Sequence, residues 1–268
     1  MYRIGWFSTG RDEAARELLK TVQNSIQRGE LEARPGFVFS NREPGESPES
    51  DLFFDLVKSY HLPLIHFSSK KFNTPQAPRY HPAWRREYDR EVMNRLRDFQ
   101  PQLCVLAGYM LIVGEEMCQR YNMINLHPAA PGGPAGTWQE VIWKLMESRA
   151  QNTGAMMHLV TPELDQGPPV SFCTFPIRGQ PFDRYWPEVE KQGLDEVRAT
   201  QGESNPLFRL IREQGLKREF PLITATLKAF AQGRVRIQGG AVVEGGGRQI
   251  PGYDLTEEID RAIGGYDG

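Results

Sequence analysis

The sequence has few cysteines, little net charge and no long apolar run. Its 268 residues contain 3 cysteines, Cys104, Cys118 and Cys173, without a C-x-x-C pair, which predicts buried free thiols in a reducing cytoplasm. The formal net charge is −2, so net charge alone gives no attraction to nucleic acid or to a membrane surface. No apolar run approaches the roughly 20 residues of a membrane span. These absences favour a cytoplasmic protein with neither nucleic-acid nor membrane partners.

Two familiar site signatures are missing as well. No G-x-G-x-x-G follows the first predicted strand, over Tyr2 to Phe7, and this disfavours a dinucleotide-binding oxidoreductase. The same segment is too short and too aromatic for a signal peptide. No zinc motif such as H-E-x-x-H occurs, so a metal-dependent hydrolase built on His127, His158 and Asp165 is a remote alternative.

The order of apolar segments predicts an α/β fold. Strand-like and helix-like segments alternate through the first two thirds of the chain, which is typical of an open, mostly parallel, doubly wound sheet. Strands are predicted at residues 2–7, 36–40, 64–66 and 103–107, in a segment ending at 127, and at 154–160 and 170–177. Helices are predicted at residues 12–28, 51–60, 84–99 and 114–120, and after the capping box Thr137-x-x-Glu140. A Pro-rich segment, residues 70–82, is expected to cross the surface. We therefore divide the chain into an α/β domain, residues 1–177, and a C-terminal section, residues 178–268.

The C-terminal section is expected to pack on the same domain as a variable link, helices and a hairpin. Residues 178–202 are polar and are predicted to be irregular. One helix is predicted to begin at Asn205-Pro206, with proline at its first position, and a second to run over residues 219–232. Two short apolar segments with glycines between them predict a β-hairpin over residues 235–244.

Polar side chains follow the predicted strands at their carboxyl ends, where ligands bind in open α/β sheets. Asn125 and His127 are two residues apart, so they project from one face of a strand, which Pro128 ends. An amide can donate to a developing oxyanion, and imidazole can move a proton near neutral pH. Asp165 comes two residues before Gly167 in a tight loop, where its carboxylate could orient the histidine or a water. An amide, an imidazole and a carboxylate at two strand ends indicate acyl transfer, and more narrowly transfer of a formyl group.

Each motif alone also has a structural interpretation. A histidine before a proline at the end of a strand is often only structural, and an aspartate before a turn glycine usually stabilises the turn. The pairing of the two motifs, each at a strand end in one α/β pattern, favours the catalytic interpretation.

Three segments resemble the 10-formyltetrahydrofolate-dependent formyltransferases. They are Leu106–Met110, Ile124–Pro128 and His158–Pro168, the last containing E-L-D-x-G-P. The resemblance covers about residues 2–177, and the segment from Phe220 to Tyr253 is similar to the C-terminal end of family members that act in purine synthesis. It implies a formyltransferase-like, Rossmann-related fold, with 10-formyltetrahydrofolate as donor and a primary amine as acceptor. Phosphoribosylglycinamide is the first candidate for that amine.

The resemblance also implies roles for individual residues. Asn125 would hold the formyl oxygen, His127 would aid proton transfer, and Asp165 would order a water and the histidine, with His158 behind it as support. The residues implied to bind the folate are Gly108, Tyr109, Met110, Leu111, Ile112, Val113, Thr161, Glu163 and Leu164. The residues implied to bind the acceptor are Ser8, Thr9, Gly10, Arg11 and Gly136. No metal is expected, and a homodimer is one expectation for the assembly.

Four departures from the family pattern concern the acceptor. The turn Ser8–Asp12 has one glycine and an acidic residue where the family has a Gly-rich turn that holds a phosphate. Leu111 stands where the purine enzyme commonly has arginine. The segment 128–138 lacks the family's leucine pair and later histidine, and residues 178–216 form a longer link where acceptor contacts are expected. The residues implied to bind the formyl donor therefore resemble the family more closely than those implied to bind the acceptor.

These departures leave several outcomes open. The acceptor could be another primary amine, such as an amino-sugar nucleotide, or water, in which case the enzyme would release formate as a hydrolase. A relative that binds folate without turning it over is a further alternative. Formylation of initiator tRNA is disfavoured, because it needs a basic surface and a separate C-terminal barrel.

Overall fold

The computed structural model describes residues 1–73 and 78–264 of the chain. The strands of these ranges are β1 (Tyr2–Phe7), β2 (Ala33–Ser40), β3 (Leu64–His66), β4 (Leu103–Leu106), β5 (Met123–His127), β6 (Asn152–Leu159), β7 (Pro169–Pro176), β8 (Val235–Gln238), β9 (Ala241–Glu244) and β10 (Tyr253–Asp254). The α-helices are α1 (Glu13–Gln27), α2 (Pro48–Ser59), α3 (Pro82–Arg95), α4 (Glu115–Arg120), α5 (Trp138–Glu147), α6 (Trp186–Gln192), α7 (Leu194–Thr200), α8 (Pro206–Ala231) and α9 (Thr256–Ala262). The surface segment predicted over residues 70–82 includes residues 74–77, which lie outside the described ranges.

Within the described residues, eight strands form one sheet in the order β10-β7-β6-β5-β4-β1-β2-β3. Strands β1 to β5 pair with one another in parallel, as β10 does with β7, whereas β6 is antiparallel to both β5 and β7. The chain runs from β1 to β2 and β3 on one side and returns to β4 and β5 on the other. The open, mostly parallel, doubly wound sheet is thus confirmed, and its switch point lies between β1 and β4.

Local sequence explains the elements that flank the switch point. All four residues of β4 are buried, as a central parallel strand requires. At the start of α1, the Asp12 carboxylate accepts a hydrogen bond from the Ala15 N–H, and the helix buries Leu18, Leu19 and Val22 on its apolar face. The predicted capping box at the start of α5 is confirmed, with both of its hydrogen bonds present.

The prediction that residues 178–202 are irregular was wrong. The segment contains a 3₁₀ turn at Phe182–Arg184 and the helices α6 and α7. Phe182, Trp186 and Val197 are almost completely buried in a second hydrophobic cluster built on α5. The apolar residues of this segment are few and stand among charged ones. They still complete the cluster because aromatic side chains such as Phe182 and Trp186 each bury a large apolar area.

The prediction of two separate helices after Asn205 was also wrong, because the structure has one continuous helix there. Asn205 does cap a helix, accepting hydrogen bonds from Leu207 N–H and Phe208 N–H, but the 26-residue α8 continues through Gly215 and Pro221. Burial of the apolar side chains on both sides of the proline offsets the lost hydrogen bond. The hairpin β8–β9 is confirmed as a separate two-stranded sheet, whereas β10 and α9 were not predicted.

Helix α8 fixes the C-terminal section to the sheet. It packs against α1 and β6, with Leu222 and Ile223 in the main hydrophobic cluster. The fully buried Arg218 forms an ion pair with Asp260 of α9 at 3.1 Å and thereby ties the last helix to α8. The division of the chain at residue 177 stays a prediction.

Candidate active site

The structure brings the three candidate catalytic side chains together. Asn125 and His127 lie on β5, and Asp165 lies in the loop that joins β6 to β7. The Asn125 Nδ2 is 3.5 Å from Asp165 Oδ1, and the His127 Nδ1 is 3.6 Å from Asp165 Oδ2. A Cβ at Gly167 would collide with the main-chain oxygen of Leu159, so the loop returns closely over β6 only because this residue is glycine.

The side chain of Asp165 is almost fully buried between the Gly136 N–H and the rings of His127 and His158. Its Oδ2 accepts a hydrogen bond from the Gly136 N–H at 3.1 Å, and its Oδ1 lies 3.5 Å from His158 Nε2. Burial alone would raise the pKa of Asp165, but the two histidine rings and the Gly136 N–H favour the charged form, so the pKa lies below its ordinary value. Asp165 is therefore a carboxylate at neutral pH.

The ring of His127 is buried and contacts the main chain on its other side. Its Nε2 lies 2.9 Å from the carbonyl oxygen of Pro134. Burial lowers the pKa of His127, although the Pro134 carbonyl and the charge of Asp165 oppose that effect. The imidazole is therefore neutral at rest and able to accept a proton.

His158 completes the cluster as the partner of Asn125. Its Nε2 is 3.1 Å from Asn125 Nδ2, and its Nδ1 is 2.9 Å from the carbonyl oxygen of Leu159. Because a carbonyl only accepts, Nδ1 carries the proton in the neutral ring and Nε2 accepts from the amide. The sequence placed His158 only behind Asp165, whereas the structure also gives it the task of orienting the amide of Asn125.

A cavity of about 410 Å³ opens beside this cluster. The candidate residues on its wall are Arg11, Gly108, Tyr109, Met110, Leu111, Ile112, Asn125, His127, Gly136, Leu164 and Asp165. The remaining folate candidates, Val113, Thr161 and Glu163, line an adjoining cavity of about 50 Å³. Asn125 and Asp165 border both cavities, so a ligand filling the two would pass directly over the catalytic cluster.

The structure does not place Ser8, Thr9 and Gly10 on the wall of this cavity. Ser8 and Thr9 are buried, and the Gly10 N–H donates to Ser8 Oγ at 3.1 Å. The Asp12 carboxylate takes an N–H group of the first turn of α1. The turn's own side chains therefore occupy donors that a phosphate would need, and of the four turn residues proposed for the acceptor only Arg11 reaches the cavity.

Thr9 has a structural task instead. Its hydroxyl donates to Asn41 Oδ1 at 2.7 Å and accepts from the Met110 N–H at 2.9 Å. This links the end of β1 to the end of β2 and to the segment after β4. Thr9 thus holds the segment that begins at Gly108 in place.

Trp138, Arg212 and Glu219 are among the residues on the cavity wall that were not predicted as site residues. Arg212 Nη1 donates to Glu219 Oε1 at 2.8 Å, and its guanidinium lies 4.5 Å from the ring centroid of Trp138. Burial raises the pKa of Glu219, against the effect of Arg212. Arg212 and Glu219 lie seven residues apart on one helix. Because two separate helices were predicted there, the sequence did not indicate that they form a pair.

Sequence comparison places the chain in a known family. Residues 18–180 match the family described as Formyl transferase. The chain belongs to the formyl transferase family. A phosphoribosylglycinamide formyltransferase of Schizosaccharomyces pombe is 28% identical over 177 residues, which are 63% of this chain and 80% of that protein. The one from Haemophilus influenzae is 26% identical over 242 residues, covering 88% of this chain and 92% of that protein.

Solved structures of the family share the fold. The phosphoribosylglycinamide formyltransferase of Coxiella burnetii superposes with a TM-score of 0.68 at 19% identity, over 94% of this chain and 98% of that one. A formyltetrahydrofolate deformylase of Pseudomonas syringae superposes with a TM-score of 0.60 at 18% identity, over 91% of this chain and 65% of that one. At these identities, the likeness shows the architecture alone.

Family membership makes this chain a formyl-transferring enzyme and implies a folate-derived donor. Within the described ranges, no group of three or more His, Cys, Asp or Glu side chains is arranged to hold a metal ion. Over the same part of the chain, no helix has the length and apolar character needed to cross a bilayer.

Proposed function

We propose that this enzyme transfers the formyl group of 10-formyltetrahydrofolate to the amine of phosphoribosylglycinamide, a step of purine biosynthesis. The names of the relatives from Schizosaccharomyces pombe and Haemophilus influenzae support the choice of acceptor. The observation that carries the proposal is the meeting of Asn125, His127 and Asp165 on one cavity. We further propose that the enzyme works in the cytoplasm, and a homodimer stays a prediction.

The three side chains divide the chemistry of acyl transfer between them. The amide of Asn125 donates to the formyl oxygen as negative charge develops there, a contribution of about 2.7–4 kcal/mol for one preorganised donor. His158 fixes which way this amide points. Neutral His127 accepts the proton that the attacking amine loses, a role worth roughly 10²–10⁴ in rate. Asp165 stabilises the imidazolium that forms and orders a water at the same place.

The folate binds across the two adjoining cavities in this proposal. The segment from Gly108 to Val113 forms one wall, and Thr161, Glu163 and Leu164 form the other. Met110 and Leu164 are exposed apolar side chains on the cavity wall, 45% and 52% accessible. Apolar side chains that are exposed on a cavity wall are suited to cover an aromatic part of a ligand.

A different primary amine is the second candidate for the acceptor. The specific reason is the turn after β1, where Ser8 and Asp12 already bind main-chain N–H groups. An acceptor without a phosphate at this position, such as an amino-sugar nucleotide that binds elsewhere, would not need them. Water as acceptor would make the enzyme a hydrolase that releases formate.

An acceptor assay tests these alternatives directly. The enzyme is incubated with 10-formyltetrahydrofolate, and release of tetrahydrofolate is followed with phosphoribosylglycinamide, with an amino-sugar nucleotide, and with no acceptor. Release that depends on phosphoribosylglycinamide supports the proposal. Release with no acceptor at the same rate identifies a hydrolase, and release only with the amino sugar rejects the proposed acceptor.

A further inference from the structure

The loop between β5 and α5, residues 129–136, contacts both His127 and Asp165 through its main chain. The carbonyl oxygen of Pro134 lies 2.9 Å from His127 Nε2, and the Gly136 N–H lies 3.1 Å from Asp165 Oδ2. The loop is closed by a hydrogen bond from the Gly133 N–H to the Ala130 oxygen. This is also a segment where the sequence departs from the family pattern.

The contact with Pro134 decides where His127 carries its proton. A carbonyl oxygen has no hydrogen to donate, so a hydrogen bond at this distance requires the proton on Nε2 of the ring. In the neutral imidazole the other nitrogen, Nδ1, then has a free electron pair. That electron pair faces Asp165 Oδ2 at 3.6 Å, beyond direct hydrogen-bond distance.

We propose that the 129–136 loop is a positioning element that fixes His127 as the Nε2–H tautomer and thereby makes Nδ1 the atom that takes the proton during formyl transfer. Protonation turns both ring nitrogens into donors, one to the Pro134 oxygen and one towards Asp165. The conjugate acid therefore has the Pro134 oxygen at hydrogen-bond distance, 2.9 Å, and the charge of Asp165 close by, 3.6 Å from Nδ1. Burial lowers the pKa of His127 and keeps the ring neutral until then.

The proton balance of the reaction fits this assignment, which rests on the proposed function for its chemical part. The acceptor amine attacks the formyl carbon and a C–N bond forms, while a proton of the amine passes to His127 Nδ1. The formyl oxygen becomes an oxyanion beside Asn125 Nδ2. When the bond between the formyl carbon and folate nitrogen N10 breaks, its electron pair goes to N10, which takes the proton from Nδ1. The products are a formamide and tetrahydrofolate.

Glycine at position 136 is what allows the loop to reach Asp165. Gly136 has φ +119, a conformation that side chains rarely adopt, and a Cβ there would lie 2.5 Å from Glu140 Oε2. Glu140 belongs to the capping box of α5 and cannot move away without losing its bond to Thr137. Alanine at this position would therefore displace the Gly136 N–H and the carbonyl group two residues before it.

Nitrogen NMR of histidine-labelled enzyme at pH 7.5 tests the tautomer without any substrate. The signals of His127 are identified as those lost in His127→Gln. We expect Nε2 to be protonated and Nδ1 to be bare. A bare Nε2, or a doubly protonated ring at this pH, overturns the proposal whether or not the enzyme transfers formyl groups.

The variant Gly136→Ala tests the role of the loop. We expect mixed tautomers of His127 and a kcat lower by roughly 10², with the KM for folate changed much less. Gly29→Ala is the matched control, since Gly29 also has positive φ but no neighbour within 4 Å of an added Cβ. An unchanged His127 spectrum and kcat in Gly136→Ala reject the positioning role. If Gly136→Ala does not fold, the wild-type spectrum still decides the assignment. Transfer that fails with every amine in wild type rejects the proposed function and leaves the tautomer result standing.

Discussion

His127 and His158 stand edge to face beside the same carboxylate, with ring centroids 6.0 Å apart and planes at 81°. Each ring lies within 3.6 Å of a different oxygen of Asp165. The Leu159 carbonyl fixes the tautomer of His158, and the Pro134 carbonyl fixes that of His127. One ring therefore orients the amide donor, and the other is free to receive a proton.

Replacing the shared carboxylate removes the stabilisation of the imidazolium. We expect Asp165→Asn to lower kcat for formyl transfer by roughly 10² or more while the fold is kept. The exposed Asp195 on α7 provides the matched control, since Asp195→Asn removes the same charge away from the cavity. Steady-state kinetics with circular dichroism checks both variants. Turnover of Asp165→Asn at the wild-type rate would contradict the assigned role.

The pH dependence follows from the lowered pKa of His127. Burial is the largest cause of that lowering, so the neutral base persists to a pH below its ordinary value of 6.5. We expect kcat/KM to be constant above pH 6.5 and to fall as the pH drops through the lowered pKa. The free energy of unfolding changes in the same direction. The contribution of the neutral ring is fully present above pH 6.5 and is lost as the pH falls from 6.5 through the lowered pKa. A midpoint above 6.5 would mean that attraction to Asp165 outweighs burial.

Arg212 should decide how well a phosphorylated acceptor binds. Arg11 and Arg212 are the arginines on the cavity wall, and the turn after β1 has used N–H groups that phosphate would otherwise bind. We expect Arg212→Gln to raise the KM for phosphoribosylglycinamide by about 10–100-fold, the equivalent of one charge-assisted hydrogen bond. The KM for folate should stay within about twofold.

The control for this variant is Arg209→Gln, an exposed position on the same helix. Because Arg212→Gln leaves buried Glu219 without its partner, the melting temperature of both variants is measured first. Equal increases of KM for the phosphorylated acceptor and for its dephosphorylated form would indicate a purely structural effect.

Asp89, which does not line the cavity, makes the free energy of unfolding depend on pH. It lies on α3, is 3% accessible, and accepts a hydrogen bond from the Gly114 N–H at 2.6 Å. Burial raises its pKa from 3.8 to about 7, so the folded state keeps a proton that the unfolded state loses. The protonated form therefore favours folding at low pH, and this advantage is lost as the pH rises from about 4 through 7.

The variant Asp89→Asn should remove this pH dependence. Urea unfolding gives the free energy of unfolding at pH 5 and at pH 8. Between these two pH values we expect wild type to lose on the order of 2–4 kcal/mol more of this free energy than the variant does, because a tenfold change in an ionisation constant corresponds to about 1.4 kcal/mol. Asp98→Asn, at a side chain that is 85% accessible, should leave the wild-type difference unchanged. Parallel pH profiles for wild type and Asp89→Asn would show that Asp89 is ionised in the folded state.

Asn125 and His127 could be proposed from the sequence because their side chains carry the proposed chemistry. The two-residue spacing of Asn125 and His127, followed by Pro128, indicates both the strand and the face. The oxygen of Pro134 and the N–H of Gly136 could not be predicted in the same way, since main-chain groups leave no signature in the sequence. Seven of the eight strands that the sheet has in the described ranges were predicted from short apolar segments bounded by loops, whereas the two-residue β10 was not.

The part of the cavity wall formed by α8 could not be predicted, because the sequence suggests a break in this helix. Gly215 and Pro221 both disfavour a helix, and only the buried contacts of α8 with β6 and α1 show why it continues through them. Arg212 and Glu219 therefore looked unrelated. In residues 178–202, Trp186 and Val197 stand among charged residues, and their burial depends on the partner surface of α5, which a linear pattern does not reveal.

Helix α8 is about 39 Å long at 1.5 Å per residue, and its two ends serve different purposes. The part up to Glu219 supplies Arg212 and Glu219 to the cavity wall, and the part after it carries Leu222 and Ile223 in the main hydrophobic cluster. A single continuous rod thus joins the wall of the cavity to the packing of the sheet, so a distortion at one end is transmitted to the other.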